Sequence, residues 1–313
     1  MNLRKYLQKN LLYLAILAFV FISSSALAIS TEKPLGNLPI IEKVLGQYDF
    51  APIPHLKEDA NFPIISAQSV LAVDLSSGTV LYEKDPEKPL LPASTTKIVT
   101  AVVAMEAFKN DDILTVGPGY VEGQKMGLIA GEGIAARDLL YGLLIYSAND
   151  AAEAFAYNYP GGRVSFVAAM NAKARDLGLG NSNFANPSGL EDAGHISTAK
   201  DLVRIATYAM ENERFAQVVS TENHLAQSVD GIIRHRLTNI NELIGKVDGV
   251  LGVKTGWTYN SRENLVTYVK RGEKEVMIAL LGSQDRFGET EELIEWIYGN
   301  YEWREIDLLS LRK

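Results

Sequence analysis

The sequence predicts an α/β protein of the α+β kind. One antiparallel sheet, built from strands at both ends of the body, is flanked by helices, and a helical subdomain is inserted between those strands. Three observations point there. Hairpin patterns occupy residues 68–84 and 264–281, helical patterns fill the segment between them, and residues 94–108 are a long, mostly apolar run without glycine or proline.

Each element follows from local chemistry. Gln68 to Asp74 is mostly apolar, Ser76-Ser77-Gly78 supplies turn residues, and Thr79 to Lys84 alternates, so the three read as a hairpin. The stretch from Ser94 to Phe108 is contested. Thr95, Thr96, Ile98, Val99, Thr100, Val102 and Val103 are β-branched and favour a strand by propensity. Fifteen residues exceed an ordinary strand, however, and apolar character on nearly every side describes a helix buried all round, which Pro92 is well placed to start. Helical patterns follow at Arg137–Tyr146, Asn149–Tyr157, Val164–Leu177 closed by Gly178, and Thr198–Glu211, where Thr198 and Asp201 resemble a capping box. Lys254-Thr255-Gly256 reads as part of an edge strand, Asn264–Lys270 and Glu275–Leu281 as a hairpin around Arg271-Gly272-Glu273, and Glu289–Tyr301 as a final amphipathic helix.

Domain organisation starts with targeting. Arg4, Lys5 and Lys9 precede an apolar run from Leu11 to Ile22, then three serines and Ala26-Leu27-Ala28, which is the pattern of a cleavable secretory signal over residues 1–28. The 12-residue run is short for a spanning helix, so membrane contact is expected only if that segment stays uncleaved. Residues 29–63 carry five prolines and little periodicity and are expected to be a flexible linker, 64–303 the catalytic body and 304–313 a tail. The protein is expected outside the cytoplasm, in a periplasm or cell-wall space.

Composition narrows the chemistry. The formal charge is −8 and becomes −11 without residues 1–28, which hold three basic residues and no acids, so nucleic acid is not expected as a partner. There is no cysteine, hence no disulfide framework, and stability must come from a core. The four histidines lack zinc-ligand spacing, so no metal or cofactor is expected.

Three short motifs carry the functional reading. With 19 Ser and 17 Lys, chance supplies about one Ser-x-x-Lys pair; four occur, at Ser30/Lys33, Ser94/Lys97, Ser197/Lys200 and Ser310/Lys313. Only Ser94/Lys97 precedes the single Ser-x-Asn, Ser147-Ala148-Asn149, with a long apolar segment behind it, and Lys254-Thr255-Gly256 follows at domain-scale spacing. On a helix Ser94 and Lys97 share one face, and an unprotonated lysine can take the serine proton if burial and a second lysine, Lys254, lower its pKa. Ser147 can relay a proton to a leaving amine and Asn149 can bind a peptide-like substrate or cap a helix. Lys254 and Thr255 suit a substrate carboxylate, Gly256 permits close approach, and the N–H of Trp257 can join that of Ser94 as an oxyanion hole.

These residues resemble the penicillin-recognising serine enzymes, and most nearly the D-alanyl-D-alanine carboxypeptidases, the low-molecular-mass penicillin-binding proteins. The resemblance runs from about Ser66 to Tyr301. It is carried by Pro92-Ala93-Ser94-Thr95-Thr96-Lys97, Ser147-Ala148-Asn149-Asp150-Ala151-Ala152, Asn186-Pro187-Ser188-Gly189-Leu190, His195-Ile196-Ser197-Thr198-Ala199-Lys200-Asp201-Leu202 and Gly252-Val253-Lys254-Thr255-Gly256-Trp257-Thr258. It implies a β-lactamase/transpeptidase-like fold that removes the terminal D-alanine of peptidoglycan stem peptides through an acyl-Ser94 intermediate, with β-lactam antibiotics as covalent inhibitors. By the same implication Lys97 is the base, Ser147, Asn149 and Lys254 handle protons and substrate, Thr255 meets the carboxylate, and His195 belongs to a structural turn.

Two departures stand out. The family commonly has Ala-Gly where this chain has Ser261-Arg262, an arginine that can narrow the cleft or bind a carboxylate. Many relatives also continue into a C-terminal β-domain and a membrane-binding helix, whereas this sequence ends soon after Tyr301, so attachment through the C-terminus is not expected. The alternatives are a class A-like β-lactamase, a D,D-endopeptidase and an inactive wall-binding scaffold. The first lacks its Glu-x-x-Leu-Asn between Asn149 and Lys254.

Overall fold

The computed structural model describes residues 51–305; the predicted signal peptide, residues 29–50 of the predicted linker and residues 306–313 lie outside the described residues. In chain order the strands are β1 (Ile53–Leu56), β2 (Ser69–Asp74), β3 (Val80–Lys84), β4 (Ile113–Thr115), β5 (Gly133–Ala135), β6 (Asn223–Gln227), β7 (Arg234–Thr238), β8 (Val250–Thr258), β9 (Arg262–Arg271), β10 (Lys274–Ser283) and β11 (Tyr301–Arg304). The helices are α1 (Lys97–Ala107), α2 (Ala136–Leu144), α3 (Asn149–Asn158), α4 (Gly162–Asp176), α5 (Ala199–Met210), α6 (Glu213–Val219) and α7 (Arg286–Asn300).

Both expected hairpins form, and they merge into one antiparallel sheet ordered β3-β2-β10-β9-β8. The N-terminal hairpin joins the C-terminal one through β2 and β10, which run in register from Val276 opposite Asp74 to Leu281 opposite Ser69. Alternation along β10 then divides the core. Val276, Ile278 and Leu280 face Leu293, Ile294 and Ile297 of α7, while Met277, Ala279 and Leu281 belong with α1 and α5 on the opposite face. A strand apolar on both faces is the signature of a sheet sandwiched between helical layers.

The contested segment is helical. Its first residues, Ala93–Thr96, form a 3-10 turn that passes into α1, and Lys97 through Ala104 are all buried. Burial of those side chains against helices and sheet outweighs their modest β preference, since each buried aliphatic side chain contributes about 1.5–3 kcal/mol against propensity differences below about 1 kcal/mol. The capping pattern at Thr198 is present as well, with its hydroxyl accepting the Asp201 N–H at 3.1 Å.

The linker expectation needs correction. Residues 53–56 are a strand paired antiparallel with β11, from Ile53 opposite Arg304 to Leu56 opposite Tyr301, so the folded body runs at least from 51 to 304 rather than 64 to 303. Pro54 is tolerated because a two-stranded ribbon leaves one edge of β1 without a partner that needs its N–H. Farther along, Trp296 donates its indole N–H to Asn61 O at 2.6 Å and packs its ring 4.9 Å from Phe62. The small hairpins β4–β5 and β6–β7, and helix α6, were not visible as patterns because each is short and half exposed.

Deleting residues 51–63 is expected to uncover Trp296 and Tyr301. At about 25 cal/mol per Å2 of apolar surface this costs roughly 2 kcal/mol, or roughly 4–8 °C in Tm for a domain of this size. Thermal unfolding monitored by circular dichroism checks it.

Candidate active site

The three motifs converge from three elements. Ser94 sits in the 3-10 turn and Lys97 opens α1; Ser147 lies in the short connection between α2 and α3, and Asn149 is the first residue of α3; Lys254 to Trp257 run along β8, the edge strand of the sheet. Backbone strain marks the same places. Four non-glycine residues among those described have positive φ, and three of them belong here: Ala93 (49°) just before Ser94, Ser147 itself (62°) and Arg262 (58°) across from Thr258. Each such conformation costs on the order of 1–3 kcal/mol and persists only where its surroundings hold it.

Lys97 is the centre of the arrangement. Its side chain is wholly buried, and Nζ lies 2.9 Å from Ser94 Oγ, 2.6 Å from Asn149 Oδ1 and 2.6 Å from Ser188 O. Burial is the main influence on its pKa and draws it from 10.5 down to about 7, against the opposing pull of Asp150 and Glu153. The three contacts are not equivalent. An amide oxygen and a backbone carbonyl can only accept, so they take both N–H bonds of a neutral amine, and its lone pair is left facing the one partner able to donate, the Ser94 hydroxyl. Asn149 is oriented for this because its Nδ2 donates to Glu122 O at 2.8 Å. It does not act as the N-cap of α3, a position held by Ala148 without a side-chain bond.

The residues that hold Lys97 are themselves held. Asn186 Oδ1 accepts the N–H groups of Ser188 and Gly189, and Thr100 on α1 donates to Pro187 O at 2.7 Å, tying the 186–190 loop to the helix that carries Lys97. Gly189 is required by both conformation and space. Its φ is +86°, and an added Cβ would lie 1.9 Å from Ala93 O. On the other flank the Asp150 carboxylate accepts the N–H groups of Met126, Gly127 and Leu128, while Gln124 O accepts the Asn149 N–H at 2.7 Å. His235 of β7 braces the same loop, meeting Met126 O through Nδ1 and Glu132 Oε1 through Nε2.

The opposite wall is β8. An added Cβ on Gly256 would stand 3.1 Å from Pro92 O and 3.2 Å from the backbone nitrogens of Ser94 and Thr95, so glycine is what lets the strand approach the serine. Lys254 is buried and hydrogen-bonds only Thr255 O, at 3.0 Å, among the described residues. Burial, then the nearby Lys97 and Arg286, hold its pKa well below the usual range. Burial is the largest influence at both lysines, and their mutual repulsion adds to it. Thr255 is buried beside it, and the Trp257 indole is 60% exposed.

Arg286, unnoticed in the sequence, is the arginine on this wall. From the first turn of α7 it donates to Gly256 O at 3.3 Å, and its buried Nε has no partner among the described residues. Only its distance from Lys254 in sequence hid it. Arg262, by contrast, is exposed and makes no ion pair among the described residues. His195 is structural: its Nδ1 accepts the Ala185 N–H at 3.1 Å, which leaves the proton on Nε2 to donate to Thr96 Oγ1 at 2.8 Å. Burial lowers its pKa to about 4, so the ring stays neutral.

Comparisons with known proteins bear on the family and the fold. Peptidase family S11, described as D-alanyl-D-alanine carboxypeptidase, matches residues 57–285. The D-alanyl-D-alanine carboxypeptidase DacF of Bacillus subtilis is 32% identical over 267 residues, covering 81% of this chain and 68% of its own. DacB2 of Mycobacterium tuberculosis, of the same description, is 35% identical over 240 residues, covering 74% and 81%. The crystal structure of the Streptomyces K15 DD-transpeptidase superposes with a TM-score of 0.72 at 31% identity, covering 77% of this chain and all of that one.

The Lys97 value sets a pH dependence. Because it is depressed in the folded chain, the neutral amine accumulates as pH rises through about 7, so the acylation rate measured with a fluorescent penicillin is expected to climb across that range and level off above it. The same depression means that stability contributed through Lys97 increases between about 7 and 10.5, where the unfolded chain alone binds the proton. Gly189→Ala is expected to displace Ala93 and Ser94 and slow acylation at least about tenfold, the effect of misplacing a reacting group by a fraction of an ångström to an ångström. Stopped-flow labelling of the two proteins compares the rates.

Proposed function

The chain belongs to the D-alanyl-D-alanine carboxypeptidase family, and we propose that Ser94 is the nucleophile with which this serine peptidase releases the terminal D-alanine of peptidoglycan stem peptides. The observation that carries the assignment is the triple contact of Lys97 Nζ, which leaves its lone pair for the Ser94 hydroxyl.

The steps follow from the groups present. Ser94 Oγ attacks the carbonyl carbon of the D-alanyl-D-alanine bond as Lys97 takes its proton, and the oxyanion so formed receives the N–H groups of Ser94 and Trp257. Ser147 relays the proton taken up by Lys97 to the departing amine, and the C–N bond breaks. The substrate carboxylate meets Thr255, Lys254 and the guanidinium of Arg286, which stands on the β8 wall through Gly256 O. Asn149 binds the peptide backbone with the Nδ2 hydrogen that Glu122 O does not take. Water then hydrolyses the acyl-Ser94 ester. β-Lactams enter the same sequence and stop at the ester, consistent with the absence of the glutamate motif that class A β-lactamases use for deacylation. Action on the cell wall is consistent with a location outside the cytoplasm, which the N-terminal signal pattern supports; among the described residues no helix is long and apolar enough to cross a membrane.

Ser94→Ala is expected to abolish both penicillin labelling and D-alanine release from a pentapeptide, and intact-mass spectrometry of the wild type should place the adduct on Ser94. An adduct elsewhere, or rapid β-lactam turnover, would overturn the assignment. Arg286→Ala is expected to reduce kcat/KM for the pentapeptide by about ten- to a hundredfold, the loss of a charged hydrogen bond of roughly 1.5–3 kcal/mol. A pentapeptide with its C-terminal carboxylate amidated should lose little further rate in that variant.

A further inference from the structure

Asn149 serves Lys97 only while its amide keeps one orientation, and what holds that amide is a loop rather than a helix or a strand. Among the described residues, 118–130 hydrogen-bond to the rest of the chain at two places. On one side Glu122 O accepts from Asn149 Nδ2 at 2.8 Å, Gln124 O accepts the Asn149 N–H at 2.7 Å, and the N–H groups of Met126, Gly127 and Leu128 end on the Asp150 carboxylate. On the other side stand His235 of β7 and Glu132, only 5% and 6% exposed. His235 lies opposite Ala226 of β6 and points inward, while its neighbours Arg234 and Arg236 are exposed.

The hydrogens in this pair decide what it can do. Met126 O can only accept, so His235 Nδ1 carries a hydrogen and donates it across 3.0 Å. Nε2 and Glu132 Oε1, 2.7 Å apart, then share one further proton, and Glu132 Oε2 accepts the Ile129 N–H at 3.0 Å. Both ring nitrogens and both carboxyl oxygens are thus satisfied, the condition under which a buried polar pair orients its surroundings instead of weakening them. The Met126 residue is gripped from two sides, its N–H by Asp150 and its C=O by His235. Its side chain is buried too, but a thioether with three rotatable bonds sets how deep the loop lies and not which way its peptide groups point.

We infer that His235 and Glu132 are positioning residues for the general base: by fixing the Met126 peptide they set the carbonyls of Glu122 and Gln124, and through these the Asn149 amide that takes one N–H of Lys97. This role rests on the assignment of Ser94 and Lys97 and deepens it. The pair acts through Asn149 alone. With the Met126 carbonyl released, the loop can turn, Asn149 Oδ1 leaves its place 2.6 Å from Lys97 Nζ, and the lone pair of the amine is no longer held toward Ser94 Oγ. An apolar pair of the same volume would fill the space without supplying that direction, because packing is non-directional and hydrogen bonds are not.

The test is a double-mutant cycle on the full chain, read by stopped-flow acylation with a fluorescent penicillin. His235→Phe keeps an aromatic ring and removes both bonds. It is expected to slow acylation about tenfold where Asn149 is present but less than about twofold in Asn149→Ala, because the residue through which it acts is already gone. Glu132→Gln should stay within about twofold of the wild type, since its amide N–H donates to Nε2 and its oxygen still accepts from Ile129, whereas Glu132→Leu should lose about as much as His235→Phe. If the phenylalanine variant shows no cooperative thermal transition, His235→Gln, whose amide meets Glu132 but not Met126 O, takes its place in the cycle with the same expectation. An equal loss with and without Asn149 would mark a general effect on folding and overturn the positioning role, as would an unchanged rate in the His235 variant or a tenfold loss in Glu132→Gln. Labelling that survives Ser94→Ala would instead overturn the nucleophile assignment, so the two failures are told apart.

Discussion

A primary amine stays neutral near pH 7 only where water is kept from it, and that requirement organises this molecule. Bringing Lys97 from 10.5 to about 7 disfavours its ammonium by roughly 5 kcal/mol, at about 1.36 kcal/mol for each tenfold change in proton affinity. Nothing local to the Ser-x-x-Lys motif achieves that. The exclusion of water is done by Ile98, Val99, Ala101 and their neighbours on a helix buried on every side, by the 186–190 loop behind Nζ and by α3 beside it. The lowered pKa of Lys97 is thus a product of the core.

The same walls must also be placed accurately, and glycines and strain do this. Gly189 lets its loop approach the Ser94 turn to a distance no other residue allows, and Gly256 lets β8 approach it without displacing the turn. Ala93 and Ser147 hold backbone conformations that side chains disfavour, and the hydrogen bonds around Asn186 and Asp150 are what keep neighbouring segments from relaxing. Stability is given up at the site and recovered in the two cores on either face of the sheet, a division common in enzymes whose chemistry needs a preorganised setting.

Legibility in the sequence followed contact range. Hairpins around Gly78 and Gly272, helices closed or capped by Gly178 and Thr198, and the buried character of residues 94–108 are set by neighbours within a few positions, and all are present. β1 was hidden because its partner, β11, lies some 250 residues away and its prolines look like those of a tether. The motifs named Ser94, Lys97, Ser147, Asn149, Lys254, Thr255, Gly256 and Trp257 as a set. They said nothing of Ser188, whose contribution is a backbone carbonyl, or of Arg286, which no short motif contains.

Composition, order and spacing of residues by themselves determined the fold class and the family and singled out Ser94 and Lys97, because these depend on periodicity and on residue types that recur in fixed sequence. Only the tertiary structure decided which arginine faces the site, which ring nitrogen of His195 carries the proton, and how completely Lys97 is buried. Each of those is a question of which groups meet or exclude water from one another, and that is a property of the packed chain.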